Sequence, residues 1–258
     1  MNVAIISPTA YLNELSCYRK NSYHMVLAQR VLEDEHYANF YNLYKGFTIL
    51  DNGACELKRS IHFEALLKVI ELIHPNVAVL PDILGDSEAT LKLSNLFLNK
   101  ISQKDCENLI FMGVCQGQTK KEWLTSFNFF AKHDKVKMIG ISNTEAMFKA
   151  DKNTFSRVQT LKYLLDHNLL PQNKKIHLLG LPDSGHLELF KMKQYNCVEG
   201  VDTSAPVVHG TAGISFKENL SYKKIRQYLD SATILNKRQI ALIKQNIDVL
   251  FVSSGYLL

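Results

Sequence analysis

The sequence predicts a (β/α)8 barrel. Short apolar runs of strand length recur along the chain, most are followed by a helical stretch, and several end on a carboxylate or amide beside a chain-breaking residue. Repeated βα units favour a parallel sheet with right-handed crossovers. Barrels of this kind take roughly 250 residues, close to the 258 present. With no linker or shift in composition along the chain, residues 1–258 are expected to form a single domain.

In order, Val3 to Ser7 reads as a first strand, since neither a basic leader nor a long apolar core marks it as a secretory signal. A polar stretch follows in which Tyr11, Tyr18, Tyr23, Tyr37, Phe40, Tyr41 and Tyr44 are interleaved with Arg19, Lys20, His24 and Arg30. Rings beside cations suit stacking on bases, but more often such rings are half-buried on amphipathic helices. Within it, Met25 to Leu32 predicts a helix.

Phe47 to Leu50 predicts the next strand, ending on Asp51. Phe63, Leu66, Leu67, Ile70 and Ile73 have helical spacing. Val77 to Leu80 ends on Pro81-Asp82 and leads to a helix through Leu91, Leu93 and Leu96. Leu109 to Cys115 ends on Gln116-Gly117, and the next helix places Trp123, Phe127 and Phe130 in the core. Val136 to Ile139 ends at Gly140, with a helix at Ser156 to Asn168. Ile176 to Leu181 ends on Pro182-Asp183, and Val198 to Val201 ends on Asp202. Helical stretches at Lys223 to Leu229 and Lys237 to Gln245 come next. These strands fall one short of eight, so either Val249 to Val252 closes the barrel or the barrel is irregular.

The bulk numbers narrow the class. A chain 46% hydrophobic and 21% charged is that of a soluble globular protein. No apolar run reaches the roughly 18 residues of a membrane span, so no membrane partner is expected. Cys17, Cys55, Cys106, Cys115 and Cys197 are odd in number and contain no C-x-x-C pair. That spacing argues against a disulfide framework and a zinc knuckle, and a reducing cytoplasm is the expected setting. A net charge of +5 permits a polyanionic partner.

Chemistry is expected where strands end. A barrel gathers the C-terminal ends of its strands on one face, and here those ends carry Asp51, Asp82, Gln116, Gly140, Asp183 and Asp202. Two carboxylates can divide nucleophile and acid/base roles when their environments set their pKa values apart. A third beside a glutamine can read a planar base, the carboxylate accepting from N–H groups and the amide donating to a carbonyl. The plain alternative for each is a strand-end turn. Aspartates can also hold a divalent cation, but no D-x-D or H-x-x-E cluster supports that, and no P-loop or G-x-G-x-x-G pattern is present. No cofactor is expected.

Four segments, in order, resemble the tRNA-guanine transglycosylase superfamily. Asp51-Asn52-Gly53-Ala54 is similar to its D-S-G-G segment, and Gly113-Val114-Cys115-Gln116-Gly117 to its G-x-V-Q-G. Gly140 to Glu145 matches G-L-A-V-G-E at its first and last positions, and Asp202-Thr203-Ser204-Ala205 resembles D-S-A-S around the nucleophile. The resemblance covers about residues 47 to 206. It implies Asp202 as the nucleophile that attacks C1′ and forms a covalent glycosyl-enzyme, with Asp51 as general acid/base. It further implies a base site of Asp82, Gln116, Gly140, Ile141, Asn52 and Cys115, with Asp82 on the Watson–Crick edge. The logic is that of a retaining glycosidase applied to an N-glycosidic bond.

Departures from the family pattern point to the substrate. The C-x-C-x-x-C…H zinc site expected after the nucleophile has no counterpart, since no cysteine follows Cys197. Asn52 and Ala54 stand where the family has serine and glycine. Little sequence follows the expected barrel, so no added RNA-binding domain is expected. In these respects it resembles the short 7-deazaguanine DNA transglycosylases of bacteriophages, which implies DNA and a free 7-deazaguanine base as partners. The basic segment from Lys217 to Arg238, with Lys223, Lys224 and Arg226 at its centre, suits contacts along a phosphate backbone. It equally suits a solvated helix face. A tRNA substrate, a binding module without catalysis, and a metabolite-processing barrel are the alternatives. No strand-end lysine supports Schiff-base chemistry.

Overall fold

The computed structural model describes residues 1–57, 59–101, 109–143, 156–181, 185–217 and 232–255. The described residues form eight strands: β1 (Asn2–Ile5), β2 (Tyr23–Leu27), β3 (Phe47–Asp51), β4 (Val77–Val79), β5 (Ile110–Val114), β6 (Val136–Ser142), β7 (Lys175–Leu179) and β8 (Val198–Thr203). They form one parallel sheet in the order β1-β8-β7-β6-β5-β4-β3-β2, the (β/α)8 fold class.

The helices are α1 (Ala28–Glu33), α2 (Glu35–Leu43), α3 (Ala54–Leu57), α4 (Phe63–Ile73) and α5 (Ser87–Lys100), then α6 (Lys120–Lys132) and α7 (Ser156–Asp166). After them come α8 (Gly185–Met192), α9 (Ala205–Thr211) and α10 (Lys237–Ser254).

Two sequence expectations are corrected. The missing strand is β2, which takes up the start, Met25 to Leu27, of the stretch expected to be helical, and the helix begins only at Ala28. All five residues of β2 are buried, so the polar alternation that betrays a half-exposed strand is absent. Val249 to Val252 is not a strand but part of α10, whose buried Ile243, Ile247, Leu250 and Phe251 form one helical stripe.

By its internal contacts the chain divides into two compact units, residues 1–24 with 178–258 and residues 25–177. In the first, β1 and β8 run in parallel register from Asn2↔Gly200 to Ile5↔Thr203. Helix α10 packs on α8 and α9. Gly210 of α9 permits the approach, since a Cβ there would lie 2.4 Å from Ile243 Cγ1. Asn236 and Gln239 cap α10 reciprocally, and Gly255 ends it with φ 94°. Asn21 Nδ2 donates to the Val3 and Ser16 carbonyls, fixing the β1–β2 connection where no long helix spans it.

In the second unit, β3 pairs with β4, β4 with β5 and β5 with β6, all in parallel. Their interiors are mostly buried and apolar, with Thr48 of β3 and exposed Lys137 of β6 as exceptions, as sheets covered on both faces require. Leu66, Val69, Ile70 and Ile73 form the buried stripe of α4. A capping box of Thr119 and Glu122 starts α6, whose Phe130 lies against Gly113 of β5; a Cβ at Gly113 would fall 2.2 Å from Phe130 Cδ1. At the opposite edge from the strand ends, buried Lys174 donates to the carbonyls of His133 and Val136.

Candidate active site

In the second unit the ends of β3, β4 and β5 converge on one carboxylate. Asp82 follows β4 and is 3% exposed. Asn52 Nδ2 donates to its Oδ1 at 2.7 Å, and Gln116 Nε2 donates to its Oδ2 at 2.6 Å. Each amide is held in turn. Asn52 Nδ2 also donates to the Leu80 carbonyl at 2.7 Å, and its Oδ1 accepts from the Ala54 N–H. Gln116 Oε1 accepts from the Gly85 N–H at 3.0 Å, where Gly85 has φ 72°. Each amide is thus oriented by a backbone N–H, which fixes its nitrogen toward Asp82.

The Asp82 backbone is clamped as well. Ser60 Oγ accepts from the Asp82 N–H at 2.7 Å and donates to the Asp82 carbonyl at 2.9 Å. Ile61 N donates to the Asn52 carbonyl, and Arg59 bridges Ile83, so residues 59–61 run as a short strap over the ends of β3 and β4. Burial pushes the Asp82 carboxyl up to about 6, although both amide donors favour the ionised form. The result is an anion-capable group with a fixed plane. Asn52 has spent both amide hydrogens, while one of Gln116 has no acceptor among the described residues. A ligand edge carrying N–H donors with a neighbouring acceptor complements that arrangement.

Asp51, the last residue of β3, is half-buried, and its Oδ2 accepts from the Gly53 N–H at 2.9 Å. This is the strand-end turn read as the alternative role, and it leaves the carboxylate at the start of the loop over the strand end. Gly53 has φ 81°, and a Cβ there would lie 3.1 Å from Gln29 Oε1. That amide oxygen is buried with no hydrogen-bond partner among the described residues. Gln29 follows β2 and is silent in the sequence because β2 itself is.

Cys115 is fully buried, and burial pushes its thiol well above the usual range, so it is neutral and unreactive. Its N–H donates to the Gly140 carbonyl at 3.2 Å. Gly140 and Ile141 are buried in β6, and fully buried Arg157 of α7 donates to the Ile141 carbonyl at 3.4 Å. A groove of 630 Å³ opens beside Gly85, lined by Asp86, Glu88 and Glu122 against Lys121, a balance that disfavours phosphate.

In the first unit, Asp202 sits at the end of β8, 8% exposed, with Oδ1 accepting from the Gly180 N–H at 3.1 Å. Two positions earlier on the same face of the strand, Gly200 meets the ring of Tyr23. A Cβ at 200 would lie 2.7 Å from Tyr23 Cε1 and 2.8 Å from its oxygen. Burial, then the charges of Glu199 and Asp202, raise the Tyr23 phenol well above the usual range, so it remains a neutral hydroxyl. His209 of α9 is buried, its Nδ1 2.8 Å from the Ala205 carbonyl and its ring edge-on to Phe216.

Asp183, Glu145, Lys223, Lys224 and Arg226 lie outside the described residues. Among the described residues no group of three or more His, Cys, Asp or Glu is arranged to hold a metal ion, and no helix is long and apolar enough to cross a membrane. No protein-family model matches the chain, and no curated protein matches it.

Proposed function

We propose that the protein is a base-exchange transglycosylase that replaces guanine in DNA with a 7-deazaguanine base through a covalent aspartyl-glycosyl intermediate. One observation carries the reading: Asp82 is buried, its carboxylate plane is fixed by Asn52 and Gln116, and one Gln116 amide hydrogen has no acceptor among the described residues. A carboxylate so held accepts from the N1–H and exocyclic amine of a guanine edge, while the Gln116 N–H suits a neighbouring acceptor. The order of the four motifs supports the same reading.

The chemistry proceeds in two displacements. Asp202 attacks C1′ of the nucleotide, the N-glycosidic bond breaks, and guanine leaves with a proton supplied by Asp51. The incoming 7-deazaguanine then gives its N9 proton to Asp51, and N9 attacks C1′ to release Asp202. Two inversions retain the configuration at C1′. Incubation with radiolabelled 7-deazaguanine and matched DNA or tRNA tests the proposal. Label incorporated into DNA is expected. Label in tRNA alone would move the polymer assignment to tRNA, and label in neither would remove the transglycosylase reading.

A further inference from the structure

Helix α10 begins with an arrangement that the chemistry above does not use. Ile234 is 89% exposed, more than any other large apolar side chain described. It is not a loose tip. The next residue, Leu235, is buried, and the Tyr11 hydroxyl accepts from the Leu235 N–H at 2.8 Å and donates to the Leu235 carbonyl at 3.2 Å. The fold therefore pins the backbone and holds the isoleucine in water, where an apolar side chain gains only when something covers it.

The adjoining helix start is cationic. Lys237 and Arg238, both exposed, occupy the first turn of this 18-residue helix, and no acid accompanies them there. A helix N-terminus carries the positive end of the macrodipole and ordinarily favours acids. The cations add to that field rather than cancel it, giving an apolar tip beside concentrated positive charge.

Its position is on the nucleophile's edge of the sheet. Tyr11 lies in the connection leaving β1, whose Ile5 is in register with Thr203, the neighbour of Asp202. Gln239 Nε2 also donates to the carbonyl of Thr211, which ends the helix that comes after Asp202.

We propose that Ile234 is the wedge that enters a DNA duplex where the target guanine leaves the stack, with Lys237 and Arg238 holding the flanking phosphates. The proposal rests on the base-exchange reading, since a base buried in a duplex cannot reach a strand-end carboxylate without being extruded. Apolar side chains inserted between base steps are the usual device for that, and a polyanion is the partner that the charge at this end complements.

The test uses the full chain and a 20-base-pair duplex with 2-aminopurine next to a guanine. Wild type is expected to raise 2-aminopurine fluorescence on binding. Ile234→Ala should cut that rise at least fivefold while keeping duplex affinity within threefold of wild type. Base exchange by Ile234→Ala should fall at least tenfold on duplex and less than twofold on single strands. Lys237→Gln with Arg238→Gln should weaken duplex binding at least tenfold at 0.1 M salt and flatten the salt slope by about 2. An unchanged fluorescence rise in Ile234→Ala, or no rise with wild type, overturns the wedge. A change of solution mass in Ile234→Ala, read by light scattering, overturns it in favour of contact between copies of the chain. Unstacking that depends on Ile234 without any base exchange would uphold the wedge and remove the transglycosylase reading. Exchange on duplex that is indifferent to Ile234 would do the reverse.

Discussion

Gln116 Nε2 stands 2.6 Å from Asp82 Oδ2, inside a cluster closed to solvent. That contact makes the glutamine a structural group as well as a candidate ligand group. Gln116→Leu removes one of two side-chain donors to a buried carboxylate and leaves the Gly85 N–H without its acceptor. Unfolding in urea at pH 7 is expected to show a loss of about 2 to 4 kcal/mol, since hydrogen bonds to charged groups are the costly ones to remove.

The same carboxyl sets a pH dependence. Its folded pKa of about 6 lies above its ordinary value of 3.8, so the folded chain binds the proton more tightly than the unfolded one. Asp82 therefore contributes stability that is fully present below pH 3.8 and is lost as pH rises through about 6. The loss is about 3 kcal/mol across that window. Urea titrations from pH 4 to 7 should show it in wild type and not in Asp82→Ala. Affinity for free base moves the opposite way. It needs the ionised carboxylate and should fall below about pH 6 in calorimetric titrations.

Gly200 predicts a steric test. Alanine there puts its methyl carbon 2.7 Å from Tyr23 Cε1, and the ring is enclosed. Gly200→Ala should destabilise by about 1 to 3 kcal/mol, the usual cost of overpacking. A smaller side chain in the double variant Gly200→Ala with Tyr23→Leu should recover part of the loss. Thermal unfolding of the two variants and of Tyr23→Leu alone measures the coupling.

Strand ends are the legible part of this molecule. Asp51, Asp82, Gln116 and Asp202 each follow an apolar run cut off by a turn residue, and the structure puts each at a strand end. Strand β2 is hidden because Tyr23 to Leu27 is buried throughout and enters α1 without a glycine or proline between. Val249 to Val252 misleads because four apolar-rich residues seen alone carry no period; only with Ile243 and Ile247 does the helical stripe emerge. Ser60, Gly85 and Gln29 leave no sequence signal. The first two act on the site through backbone hydrogen bonds, and the third follows the hidden strand.

Asp202→Ala should leave a folded protein. The carboxylate accepts the Gly180 N–H, and losing that acceptor is expected to cost about 1.5 to 3 kcal/mol, leaving the fold intact. Base exchange should be abolished, as measured by label incorporation at saturating base. A folded variant that turns over normally would remove Asp202 from the mechanism.

The covalent intermediate is the most direct test. Wild type, Asp51→Asn and Asp202→Asn are each incubated with end-labelled guanine-containing DNA, denatured, and resolved by gel and by mass spectrometry of the digested protein. The account predicts a protein–DNA adduct with wild type, attached at Asp202, and slower formation of it with Asp51→Asn because guanine departure then lacks its proton donor. It predicts no adduct with Asp202→Asn. An adduct of wild-type abundance on Asp202→Asn, or base exchange that inverts C1′ with no adduct at any time, would contradict it.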